Sequence, residues 1–136
     1  MDVLKNQKTD FKEIIYEKSN WVARITINRP QVYNSYSTNA LEELATAFRQ
    51  AAFDDEVAVI VYTGMGDKAF CTGGDVKEYQ ERYTRSPHDY WKYMRLFGAY
   101  IESIVNTGKP VVARINGMAV GGGNESNLAG ALAVIA

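Results

Sequence analysis

Val57-Ala58-Val59-Ile60-Val61-Tyr62 is continuously apolar and largely β-branched, which is how a strand buried on both faces of a parallel sheet reads. Upstream of it, Leu41, Leu44, Ala45, Phe48 and Ala52 recur at helical spacing,. Ser37, Thr38 and Asn39 offer capping side chains, and Glu42 and Glu43 are expected in the first turn, with the helix stopping near Phe53–Asp55,. Earlier still, Phe11–Lys18 and Trp21–Asn28 alternate apolar and polar residues around Ser19-Asn20, the pattern of a half-buried hairpin,. Trp21, Ala23, Ile25 and Ile27 share its apolar face; Val22, Arg24 and Thr26 share the other,. Asn28-Arg29-Pro30 ends the second strand, because proline has no ladder donor,. Strand, helix, strand in this order predicts a right-handed crossover and a parallel sheet in an α/β fold.

Downstream, the segment from Thr63 to Gly74 is a glycine-punctuated loop. Ser86-Pro87-His88-Asp89 then has the signature of a helix start: a serine cap, proline at the first position and an acid three residues after the cap,. Tyr90, Met94, Phe97, Ile101, Ile104 and Val105 predict the apolar face of a long helix that closes near Asn106, before Gly108 and Pro110,. Val111–Ile115 is a further apolar strand. Gly121-Gly122-Gly123 leads into a short helix, and Ala131–Ala136 predicts one more buried strand. No repeat or linker divides residues 1–136, so a single domain is expected. The last strand ends without a polar terminus, which points to a fold that continues past Ala136, since a bare apolar edge invites association.

Net charge is −1 over 136 residues, which gives no electrostatic footprint for nucleic acid or an anionic membrane,. One cysteine and one histidine exclude an internal disulfide framework and argue against a Cys/His metal site,. Residues 1–10 carry no apolar signal region, and no run is long enough for a membrane span,. A cytoplasmic protein with no metal is the expectation.

Two glycine-rich loops, each after a strand-like stretch, carry the chemistry: Ala69-Phe70-Cys71-Thr72-Gly73-Gly74-Asp75 and Asn116-Gly117-Met118-Ala119-Val120-Gly121-Gly122-Gly123-Asn124-Glu125. Glycines let backbone N–H groups approach a ligand closely. A helix starting at the second loop adds unpaired N–H groups and a positive dipole end. Two N–H groups converging on one oxygen form an oxyanion hole. Glu125, three residues after Gly122, falls in the first helical turn and can move protons beside a polarised carbonyl. Either loop alone is better read as a tight strand-to-helix turn with no ligand. Neither fits a phosphate-binding fingerprint, because no lysine follows the glycines.

Taken together, Asn28-Arg29-Pro30 with Asn34, then Phe70 to Glu78, then Lys109-Pro110-Val111-Val112-Ala113 leading through Asn116-Gly117 to the triple glycine and Glu125, resemble the successive signatures of the crotonase (enoyl-CoA hydratase/isomerase) superfamily. The agreement runs from about residue 12 to the end. The resemblance implies a spiral of ββα units, assembled as trimers or hexamers. It implies an acyl-CoA substrate, with coenzyme A entering as part of the thioester and no separate cofactor. The N–H groups of Gly74 and Gly122 would form the oxyanion hole, with Glu125 as the first catalytic acid. Thr72, Gly73, Gly74, Asp75 and Val76 would line the acyl-CoA channel, with Asn34 to Tyr36 near the adenine end. Cys71 fits a packed small residue better than a nucleophile, and His88 fits an exposed helix start. Tyr79, Tyr83, Tyr90, Trp91 and Tyr93 fit packing, although Tyr83 could touch substrate. Arg29, Lys68 and Lys77 could meet CoA phosphates or be solvated.

The chain departs from the family pattern at Gly130-Ala131, where a small residue followed by aspartate usually anchors the next strand. A second catalytic acid would lie past Ala136. Hydration of an enoyl-CoA is the leading expectation. Phe70 to Gly74, Lys77-Glu78-Tyr79, Tyr93 to Phe97 and Asn116-Gly117-Met118 also resemble ring acyl-CoA enzymes such as the 6-oxocyclohex-1-ene-1-carbonyl-CoA hydrolases. Glu125 argues against naphthoate-forming synthases. An isomerase and a non-catalytic crotonase-like oligomer or RNA binder are the remaining alternatives, the last disfavoured by near-neutral charge.

Overall fold

The computed structural model describes residues 10–136. Two sheets organise it. The larger has the order β1 (Ile14–Ser19), β2 (Val22–Ile27), β3 (Val59–Gly64), β5 (Val111–Ile115), β7 (Leu132–Ile135). β1 and β2 are antiparallel, and every later pairing is parallel. Helix α1 (Thr38–Phe53) connects β2 to β3, and α3 (Pro87–Val105) precedes β5. The smaller sheet pairs β4 (Ala69–Cys71) with β6 (Met118–Ala119). Helix α2 (Val76–Glu78) runs on into a π-helical turn, Tyr79–Tyr83, and α4 (Gly122–Ala129) precedes β7. The α/β class and the β2–α1–β3 parallel unit agree with the sequence expectation. The two-residue β6 and the α2 turn were not foreseen.

The core lies between the sheet and the two long helices. Ile25, Ile27, Ile60 and Tyr62 meet Leu41, Leu44 and Phe48 of α1, and Tyr100 and Ile104 of α3. Each fully buried side chain of this size contributes roughly 1.5–3 kcal/mol through removal of apolar surface from water. Ser37 caps α1 by accepting the Ala40 N–H at 3.0 Å. At the other end the Lys109 ammonium donates to the Ala51 and Asp54 carbonyls, where a cation also suits the helix dipole,.

Several local expectations shift, each for a physical reason. The hairpin turn is Asn20-Trp21, one residue later than expected, because Ser19 still pairs with Val22. Both turn residues have positive φ, which matches the twist of a two-residue hairpin,. Trp21 therefore sits in the turn and is 62% exposed, not on the apolar face. β3 begins at Val59 instead of Val57 and continues through Thr63 and Gly64, which pair with Thr26 and Ile27. Glu42 and Glu43 lie beyond the first turn of α1. Glu43 is buried, and its two carboxylate oxygens accept the Lys12 and Glu13 N–H groups.

The buried face of α3 is rotated from the expected one. Tyr93, Tyr100 and Ile104 point inward, while Tyr90, Met94 and Val105 are exposed. Tyrosine fills a core when its ring packs and its hydroxyl finds a partner. Tyr100 does both, packing edge-to-face against Tyr62 and Phe97 and tilted against Phe48, and sharing a 2.5 Å hydrogen bond with the Tyr62 hydroxyl. β7 pairs with β5 as a strand, yet all four of its residues are exposed, because no described element packs over it. At Gly130-Ala131 the entry to β7 is held by backbone bonds to Asn127 and Val111.

Candidate functional site

The parallel pairing of β4 with β6 sets the two glycine loops side by side, since both strands exit at the same end. Absent side chains make the approach possible. A Cβ on Gly117 would lie 2.5 Å from the Lys68 carbonyl, and one on Gly123 would lie 2.7 Å from the Cys71 carbonyl carbon. A Cβ on Gly73 would lie 3.3 Å from the Gly122 nitrogen, so the loops touch where the two candidate N–H groups sit.

The backbone of the first loop leaves one donor over. Tyr36 donates its N–H to the Gly73 carbonyl at 2.9 Å and accepts the Asp75 N–H at 3.0 Å. This two-bond clip spans Gly74, whose own N–H takes no acceptor among the described residues. In the second loop, Gly123 donates to the Val120 carbonyl, and Asn124 and Glu125 donate to the Gly121 carbonyl. The Gly122 N–H, at the first position of α4, is likewise unclaimed, as helix N-termini generally leave their donors,. The structure thus brings Gly73, Gly74 and Gly122 together, with Tyr36 against them. Glu125 is solvent-exposed in the first turn of α4 and close enough for its charge to act on the Tyr36 phenol.

Side chains expected near ligand turn out to brace the first loop. Asp75 accepts the Lys77 and Glu78 N–H groups as the cap of α2, and its other oxygen meets the Arg29 guanidinium at 2.9 Å. Burial works against the Asp75 charge, but Arg29 and the two N–H groups outweigh it and hold the carboxyl below its usual range,. Arg29 also pairs with Glu13 at 2.9 Å and donates to the Ser35 carbonyl, so its guanidinium is committed within the fold. Asn34 is buried: its amide donates to the Met65 and Ala69 carbonyls, and its oxygen accepts the Arg29 N–H. That side chain has no surface left for an adenine. Thr72 bonds the Tyr33 carbonyl, and Val76 projects to solvent at 77% exposure. Lys68 and Lys77 are exposed, and His88 stacks on Trp91 at the outer start of α3. Cys71 is fully buried, and burial pushes its thiol up to about 12 against a weak bond from the Gly73 N–H, which leaves it un-ionised at neutral pH,.

Tyr36 and Tyr93 are the features least legible in sequence. A Cβ on Gly122 would fall on the Tyr36 hydroxyl, and one on Gly74 would fall on the Tyr93 hydroxyl. Burial first, then the neighbouring Tyr93, Cys71, Tyr100 and Glu125, raises the Tyr36 phenol far above its usual value. Burial, then Tyr83 and Glu78, pushes Tyr93 up to about 12, with the Tyr36 hydroxyl opposing. Both are neutral donors at physiological pH. Tyr83 stacks on Tyr93 at 4.8 Å, and its hydroxyl meets Thr38 and Glu78, which makes it a support for Tyr93. The sequence pointed to Tyr36 as a residue near ligand and to Tyr93 as packing, but carried no signal that their hydroxyls meet the two site glycines.

Among the described residues no group of three or more His, Cys, Asp or Glu side chains could hold a metal, and no helix is long and apolar enough to cross a membrane. A family model described as enoyl-CoA hydratase/isomerase matches residues 17–136. The chain is 47% identical over 107 residues to the 6-oxocyclohex-1-ene-1-carbonyl-CoA hydrolase of Geobacter metallireducens, covering 79% of this chain and 28% of that protein. It is 48% identical over 105 residues to the protein of the same name from Thauera aromatica, covering 77% of this chain and 28% of that one. Among solved structures, an enoyl-CoA hydratase from Bacillus anthracis superposes with a TM-score of 0.85 at 31% identity, covering 91% of this chain and 47% of that one. An enoyl-CoA hydratase/isomerase from Xanthobacter autotrophicus superposes with a TM-score of 0.87 at 27% identity, covering 93% and 46%. The chain therefore spans under a third of the length of those curated relatives and about half that of the solved structures.

Proposed function

This chain belongs to the enoyl-CoA hydratase/isomerase family, and we propose that its paired glycine loops bind an acyl-CoA thioester and stabilise the enolate formed from it. One observation carries the reading: two adjoining loops present two unclaimed N–H groups, of Gly74 and Gly122, and the helix that starts at Gly122 carries Glu125 in its first turn. In this reading the N–H groups take the thioester oxygen as it gains charge, the kind of stabilisation worth roughly 3 kcal/mol per donor. Glu125 exchanges a proton at the acyl carbons, and coenzyme A arrives as part of the substrate. Hydration of an enoyl-CoA is the reaction this arrangement serves best. A narrower reading, a hydrolase acting on an oxygenated ring acyl-CoA, is favoured by the 47% identity to a relative bearing that name.

Replacing Glu125 by Gln in the full-length gene product tests the assignment. The amide keeps the shape and removes the proton-transferring acid, so turnover of an enoyl-CoA should fall by roughly 10²–10⁴-fold while CoA-ester affinity stays within about two-fold of wild type. Unchanged turnover would remove Glu125 from the mechanism. A wild-type protein that neither binds nor turns over any CoA ester would favour the non-catalytic alternative.

A further inference from the structure

We propose that the outer face of the larger sheet holds a binding site for a small hydroxycarboxylate, separate from the glycine loops. The site is a cavity of about 370 Å³ lined by Glu17, Arg24, Thr26, Thr63 and Arg114 and by the turn 64–66. Strand register explains why these side chains meet. Glu17 pairs with Arg24, Thr26 with Thr63, and Thr63 with Arg114. Side chains alternate faces along a strand, so all five stand on the face opposite Ile25, Ile60 and Tyr62 of the core,. β2 and β5 lie on either side of β3. Arg24 and Arg114 therefore approach Thr63 from two sides across roughly 10 Å, two strand spacings, which two long guanidinium side chains can bridge around one small anion.

The chemistry of the lining selects the ligand. Neither Arg24 nor Arg114 has an ion pair, hydrogen bond or ring contact among the described residues, whereas Arg29 and Arg82 are both paired. Thr26 is only 6% exposed, and its hydroxyl likewise has no partner among the described residues. A hydroxyl stripped of most of its water gains most from a ligand that bonds it. Two guanidinium charges against the single Glu17 carboxylate leave one positive charge over, which a monoanion balances. A carboxylate is planar and matches the guanidinium fork. Thr63 donates its hydroxyl proton to the Arg114 carbonyl, so its oxygen, like the Glu17 carboxylate, is left to accept. A ligand that meets these acceptors carries a hydroxyl besides its carboxylate. Tyr36, Gly74, Gly122 and Glu125 do not line this cavity, so the inference stands apart from the thioester reading.

Lactate and propionate are matched probes, alike in chain length and carboxylate and differing in one hydroxyl; inorganic phosphate is the contrasting anion. Ligand-observed NMR titration of the full-length gene product in chloride-free buffer should show lactate saturating with a Kd on the order of 1 mM. Arg24→Gln and Arg114→Gln should each weaken lactate about ten-fold, the loss of one charge-assisted pair. Thr26→Val keeps the shape and should weaken it about three-fold. Propionate should bind about three-fold more weakly than lactate, and Glu17→Ala should erase that difference. Thermal melts of each variant confirm that it is folded. Absence of saturable lactate binding to the wild type would overturn the site. Binding that survives both arginine substitutions in folded protein would place the ligand elsewhere and overturn it too. Phosphate binding tighter than lactate would overturn the carboxylate assignment, and equal affinities for lactate and propionate would overturn the hydroxyl.

Discussion

The two glycine loops reach the same place by opposite means. The first, Thr72 to Glu78, is held by charge and side-chain hydrogen bonds: Asp75 to Arg29, Arg29 to Glu13, Glu78 to the Thr38 N–H. The second, Val120 to Glu125, is held mainly by shape, its glycines pressed against the Cys71 carbonyl and the Tyr36 hydroxyl. A loop set by ion pairs can be shifted by pH or by a single charge. A loop set by contact with backbone moves only if the fold moves. The difference places the adjustable half of the site next to Gly74 and the rigid half next to Gly122 and Glu125.

The rigid half should show the largest cost on substitution. Gly123→Ala would place a methyl 2.7 Å from the Cys71 carbonyl carbon and 2.9 Å from its Cβ, with backbone as the obstacle. A flexible side chain could swing away, but a strand carbonyl cannot. Urea denaturation should show a loss of about 3 kcal/mol, the upper range for overpacking, and the deficit should not change with pH. A variant as stable as wild type would break the claim that shape fixes this loop.

Arg29→Ala tests the other loop and should cost less, about 2 kcal/mol, because the guanidinium and its partners keep some contact with water,. The substitution leaves Glu13 and Asp75 as neighbouring unpaired carboxylates. Its deficit should therefore shrink toward low pH as Asp75 protonates, unlike that of Gly123→Ala,. Parallel pH dependence in the two variants would erase the contrast.

Much of this contrast was legible from sequence in outline. Apolar runs gave β5, and a cap with proline gave the start of α3, because those signals are local: a strand buried on two faces and a helix with its own stop and start. The motif order in the two loops marked Gly74, Gly122 and Glu125. What stayed hidden depends on contacts across the chain. Arg29 reads as a surface cation until Glu13 and Asp75 are found beside it, 16 and 46 residues away in sequence. Asn34 reads as a ligand group until its amide is seen to tie down Met65 and Ala69. Tyr93 and Tyr100 were ambiguous because tyrosine is at home in either environment, and starting the apolar stripe at Tyr90 and Met94 turned the expected inward face of α3 away from Tyr93 and Tyr100. The β4–β6 pair was missed for its brevity, since two or three residues carry no period.

The smallest effect, and the most specific test of the charged loop, is Asp75→Asn. Asparagine caps a helix about as well as aspartate, so the bonds to the Lys77 and Glu78 N–H groups can persist while the charge facing Arg29 is lost,. At neutral pH the cost should be about 1 kcal/mol, the value of a charge-assisted bond over a neutral one. The sign of the pH dependence follows from linkage. Asp75 has a folded-state pKa below its unfolded value near 3.8. Its contribution is thus complete above the unfolded value and disappears as pH falls through the folded one. Wild-type stability should consequently decline from about pH 5 downward with a share due to Asp75, and the asparagine variant should decline less steeply, the two curves converging in acid. Thermal melts at half-unit intervals between pH 2.5 and 7 would measure this. Curves that stay parallel through the acid range would mean that the Asp75 charge does not hold the loop, and that the cap alone does.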